Sequence, residues 1–152
     1  MTVDAREAFL AEPHRIATIA LTRPDRAPLA VPVWYGYEPG GDVRVWIDRG
    51  TLKERLLRSS GRLTVSVHTD QLPYRYVTVE GPVTWNEAPT PEDGLSIAAR
   101  YFEPALAERY VRQALGPTSV IIHVRPEHWL SADLTEDLRE FELASATSGR
   151  AE

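Results

Sequence analysis

The chain has 152 residues, 43% hydrophobic and 26% charged, which fits one globular domain and not two. Its 22 acidic residues outnumber 17 basic ones, for a formal charge of −5; this disfavours nucleic acid and anionic membranes as partners. Cysteine is absent, which excludes disulfides, thiolate metal sites and thiol catalysis, and with no apolar leader segment and no run of ~20 apolar residues the expectation is a soluble cytoplasmic protein.

Residues 4–12 read as a short helix stopped by Pro13. Residues 14–22 (HRIATIALT) are rich in β-branched side chains, and the turn residues Arg23-Pro24-Asp25-Arg26 follow. Residues 27–37 alternate, with Leu29, Val31, Val33, Tyr35 and Tyr37 on one face. Pro32 inside that run predicts an edge or bulge position, because proline cannot donate to a ladder. A turn at residues 38–42 (EPGGD) leads to a return strand at 43–48 (VRVWID), and the two strands are expected to pair directly. A short helix over 51–59 precedes an alternating strand at 62–69 and a longer one at 74–85. Thr90-Pro91-Glu92-Asp93 is a strong helix start: a capping threonine, proline at the first helical position, then acids at the positive dipole end. Helix is expected to about Phe102, then again from Pro104 to Leu115, and residues 119–125 form a last strand. One domain over residues 1–144 is expected, with an acidic, disordered tail at 145–152. Six short strands with hairpin signals and few helices point to a small antiparallel barrel.

Most catalytic templates fail. There is no dinucleotide glycine motif, no Walker lysine and no nucleophile elbow. His14, His68, His123 and His128 lack the spacing of a helical zinc site, so no metal is expected. One stretch stands out, WIDRGTLKERL at 46–56, because Lys53 is the single lysine of the chain. A turn entering a helix presents free amides and partial positive charge, which favours an anion. Thr51 and Lys53 could add a hydroxyl and a cation, and Arg49, Arg55 and Arg58 surround them. The plain alternative is a solvated helix start. Trp34, Tyr35, Tyr37 and Trp46 come from the two adjoining strands; such aromatics beside an anion pocket suit a planar, phosphorylated ligand, although half of them are expected to be core.

Four segments together, residues 9–37, 45–58, 62–83 and 125–134, resemble the pyridoxamine 5′-phosphate oxidase-like FMN-binding split barrels. The resemblance covers about residues 7–135 and is closest to the flavin- and deazaflavin-dependent oxidoreductases. It implies a mainly β fold with α: a six-stranded antiparallel split β-barrel with peripheral helices, forming a homodimer with cofactor sites along the subunit interface. It further implies that Trp46 and Ile47 line the ring of deazaflavin F420 or FMN, with Val31, Pro32 and Val33 on the adjacent strand. Thr51 and Lys53 would hold the phosphate, and Arg49, Arg55 and Arg58 could meet the acidic tail of F420. Arg75 matches a common family arginine. Leu56 departs from the family, where asparagine is frequent. The C-terminal WLSADL (residues 129–134) is similar to deazaflavin-dependent members proposed to reduce tetrapyrroles. The implied function is an F420-dependent reductase acting on a small molecule, with Tyr74, Arg75 and His68 as candidates to donate a proton or orient the substrate. FMN-dependent chemistry, a non-enzymatic cofactor- or haem-binding barrel, and a relative with an empty site are the alternatives.

Overall fold

The computed structural model describes residues 1–148. The elements are α1 (Val3–Ala11), β1 (Ala17–Leu21), β2 (Leu29–Val33), β3 (Val43–Asp48), α2 (Leu52–Ser60), β4 (Arg62–His68) and β5 (Arg75–Asn86). They are followed by α3 (Pro91–Ala98), α4 (Pro104–Ala114), β6 (Ser119–Val124), β7 (His128–Asp133) and α5 (Thr135–Ser148). All strand pairings are antiparallel, in the order β2-β1-β4-β5-β6-β3, with β7 also on β5. This curled sheet is a split barrel, mainly β with peripheral helices.

Period-two patterning sets which side chains enter the barrel. In β3, Val43, Val45 and Ile47 are buried while Arg44, Trp46 and Asp48 face outward. In β4, Leu63, Val65 and Val67 are inside. These residues join Ile19 and Leu21 of β1, Val77 and Val79 of β5, and Leu57 of α2 in one core. Each such side chain contributes roughly 1.5–3 kcal/mol by leaving water.

Two strands share one edge of β5. β7 pairs with residues 75–80 and β6 with residues 83–86, so the link between them must pass over Gly81. There the Arg125 carbonyl lies 1.7 Å from where a Cβ would stand. Glycine is the residue that lets the connection cross.

Two expectations change. A seventh strand, β7, is present among the described residues; its segment HWLSAD carries no clean alternation to announce it. The strands of residues 27–37 and 43–48 do not pair along their length. β2 ends at Val33, and Gly36↔Arg44 is an isolated bridge. The reason is that Tyr35 and Tyr37 turn into the core, and the Tyr35 amide bonds the Tyr101 hydroxyl (3.0 Å) instead of a strand. α5 runs to Ser148, and the rest of the tail expected at 145–152 lies outside the described residues.

Candidate functional site

β2 and β3 each have a single ladder partner, β1 and β6 respectively. Their free edges flank a cavity of about 300 Å³. Pro32, Val33 and Trp34 line one side, Trp46 and Asp48 another, and Lys53 a third. Ile97 and Ala98 of α3 and Tyr110 and Ala114 of α4 close it. The edge position predicted from Pro32 is where the strand lies, at the end of the strand order.

Lys53 stands in the first turn of α2 and is half-buried. It makes no ion pair or hydrogen bond among the described residues. An unpaired cation on a cavity wall favours an anion, and the first amides of α2 have no intrahelical acceptor. One acidic wall group, Asp48, accepts from the Thr118 hydroxyl (3.2 Å).

The expected basic island is mostly neutralised. Arg49 and Arg58 both pair with Glu87, at 3.0 and 2.5 Å, and Arg58 also reaches Glu54 (3.4 Å). Arg55 is exposed and forms none of the ion pairs. Thr51 caps α2: its hydroxyl donates to the Asp48 carbonyl (2.8 Å) and accepts from the Glu54 amide (3.3 Å). A hydroxyl has one proton to give, so Thr51 would have to release Asp48 before donating to a phosphate.

Ile47 does not share the wall with Trp46. It is 3% exposed inside the barrel, because neighbours on a strand point to opposite faces; its backbone alone could meet a ligand. Val31 packs its side chain against the same core. Arg75 lies elsewhere, bonded to Glu12 (3.2 Å) and over the Phe9 ring, in a separate polar cleft with Arg15 and Asp133. Neither Tyr74 nor His68 lines the cavity. Leu56 packs against the core and the β1–β2 turn, not into the cavity. Among the described residues no three metal-binding side chains cluster.

The sequence reading missed the helical wall. Trp34 stacks on Tyr101 with ring centroids 4.6 Å apart and planes 11° apart. Phe102 and Tyr110 pack around it at 5.1 and 5.4 Å, and Tyr110 also meets Trp46 at 6.1 Å. Gly94 admits this contact, since a Cβ there would stand 3.1 Å from the Trp46 ring. The available signal was the helical spacing of Ala107, Tyr110, Val111 and Ala114, which puts Tyr110 and Ala114 on the inward side of α4.

No protein-family model matches the sequence, and no curated protein matches it. Solved structures do. A conserved hypothetical protein from Mycobacterium tuberculosis superposes with a TM-score of 0.73 at 22% identity, covering 88% of this chain and 85% of that one. A protein described as an F420 reductase gives a TM-score of 0.63 at 27% identity over 80% of this chain and 94% of that one. A putative pyridoxamine 5′-phosphate oxidase from Listeria innocua gives 0.62 at 14% identity over 84% and 97%. The chain therefore has the split-barrel fold of the pyridoxamine 5′-phosphate oxidase-like proteins.

Proposed function

We propose that this split-barrel protein is an oxidoreductase that binds deazaflavin F420 in the Lys53 cavity and passes a hydride to a small, tetrapyrrole-like acceptor. The observation that carries the reading is Lys53: a half-buried cation without a partner, set in a cavity that Trp34, Trp46 and Tyr110 also line, with Asp48 as its one acidic wall group. These residues fit a planar ring bearing a phosphate. The likeness to the F420 reductase supports the deazaflavin over FMN, which is the alternative within the same site. Haem fits less well, since no histidine lines the cavity.

When bound, the cofactor supplies the hydride chemistry itself. The chain's part is to hold and orient. Lys53 neutralises the phosphate together with the first amides of α2. Trp46 and Trp34 give the ring an apolar contact surface. The unpaired amides and carbonyls of β2 and β3 offer hydrogen bonds along its edge. With Arg49 and Arg58 tied to Glu87, Arg55 is the group on α2 left to meet an acidic tail. A second copy of the chain completes the site in this reading, because β2 and β3 each leave an unpaired edge beside the cavity.

The test is a titration of the purified protein with F420 and with FMN, in wild type and Lys53→Ala. Charge-assisted bonds contribute roughly 1.5–3 kcal/mol each, so the variant is expected to bind about 10–100-fold more weakly. The melting temperature of the unliganded variant should stay close to wild type, since Lys53 makes no ion pair or hydrogen bond among the described residues. Equal affinity in the two proteins would place the phosphate elsewhere.

A further inference from the structure

Phosphate binding leaves one property of the cavity wall unexplained. The hydroxyl of Tyr110 and the indole N–H groups of Trp34 and Trp46 form none of the side-chain hydrogen bonds among the described residues. All three rings are half-buried, yet none of these polar atoms is among those sealed from solvent without a partner. They therefore keep some access to solvent, and the residues that carry them line the cavity. Pure packing would be served equally by phenylalanine, whereas a polar atom kept at the rim of an apolar cluster is available to a ligand.

The donors are also held in place. Trp34 stacks on Tyr101, and Tyr101 is itself fixed: its hydroxyl donates to the Arg15 carbonyl (2.7 Å) and accepts from the Tyr35 amide (3.0 Å). Phe102 packs against the Tyr110 ring at 5.3 Å. α4, which carries Tyr110, is held against α3 by Ala98, Ala107 and Val111. A fixed donor needs little ordering when its acceptor arrives.

We infer that Tyr110 is a ring-recognition residue, donating its hydroxyl proton to a carbonyl acceptor on the ring of the cofactor whose phosphate Lys53 holds. The inference rests on the function proposed above and assigns a second, separate contact in that site. It requires a ligand with an anionic group at the α2 end and an acceptor-bearing ring edge at the α4 end.

The experiment measures affinity for FMN and riboflavin, and in parallel for F420 and its deazariboflavin core without phosphate, in wild type, Tyr110→Phe and Lys53→Ala. A neutral hydrogen bond corresponds to about a 3–10-fold change. Tyr110→Phe is expected to weaken the phosphorylated and unphosphorylated member of a pair by the same factor, while Lys53→Ala weakens the phosphorylated member alone. The visible absorption shift of the ring on binding should shrink in Tyr110→Phe, which a merely structural tyrosine would not produce, and the unliganded melting temperature should hold. Wild-type affinity in Tyr110→Phe, or a loss confined to the phosphorylated ligands, overturns the inference and leaves the Lys53 site standing. Failure of wild type to bind any of the four ligands overturns the proposed function itself.

Discussion

Arg100 shows how one side chain can hold a fold together. Its guanidinium donates to the carbonyls of Leu10 (3.2 Å), Ala11 (3.2 Å), Glu12 (2.8 Å) and Tyr37 (3.3 Å). Three of these lie at the end of α1, where carbonyls lack helical donors and a cation meets the negative end of the dipole. The same group sits 4.6 Å over the Tyr35 ring. Tyr35 in turn donates to the Leu10 carbonyl (2.7 Å), and its burial pushes the phenol above its usual pKa. Arg100→Ala would leave buried carbonyls unpaired at a cost of about 3 kcal/mol, a fall of roughly 6–12 °C in Tm for a chain of this size. Lysine has no planar fork to span four acceptors, so Arg100→Lys should recover little of it. A thermal melt of both variants checks this; a lysine variant as stable as wild type would mean that charge alone matters.

At the scale of elements, the start of α3 carries a pH-dependent contribution. The Asp93 carboxylate accepts from the Thr90 amide (2.8 Å), the Asn86 side-chain amide (2.9 Å) and the Thr90 hydroxyl (3.1 Å), completing a capping box. Bonds to the charged form, the Thr90 amide foremost, hold its pKa below the ordinary carboxylate value of 3.8. A depressed folded value means the stabilisation is complete above the unfolded pKa and is lost as pH falls through the folded one. The gap in Tm between wild type and Asp93→Asn should therefore be largest near neutral pH and shrink below 3.8; a gap independent of pH would assign it to geometry alone. β5 carries a second dependence. Gly81→Ala forces the Arg125 carbonyl away from its 1.7 Å overlap with the new Cβ and should cost roughly 3 kcal/mol or more. Denaturant unfolding would measure it, and a neutral result would mean the β6–β7 link shifts freely.

For the whole molecule, the proposed homodimer is the feature to weigh first. Leu72, Leu130 and Phe141 are 59, 62 and 68% exposed, and large apolar groups left in water are a liability that association removes. Sedimentation is expected to give about twice the 17.1 kDa chain mass; a species at the chain mass would overturn the shared-site reading. The topology also explains why parts of the site resisted sequence reading. Lys53 was visible because a lone lysine and a turn entering a helix are local signals. The pairing of Arg49 and Arg58 with Glu87 was not, since their partner lies 38 and 29 positions away. Nor was Tyr110, whose place at the cavity depends on how α3 and α4 pack over Trp46.

The sequence by itself determined what short-range physics controls: the alternation of β3 and β4, the Thr51 and Thr90 caps, and the edge position of Pro32. Tertiary structure alone decided which of those faces looks inward and what meets across the gap between β2 and β3. It sent Ile47 into the core and Trp46 to the cavity, kept β2 from pairing with β3, and brought α4 over the site. Period-two geometry fixes that two neighbours point apart, but closure of the sheet is what gives one of those directions a barrel interior and the other a cavity wall.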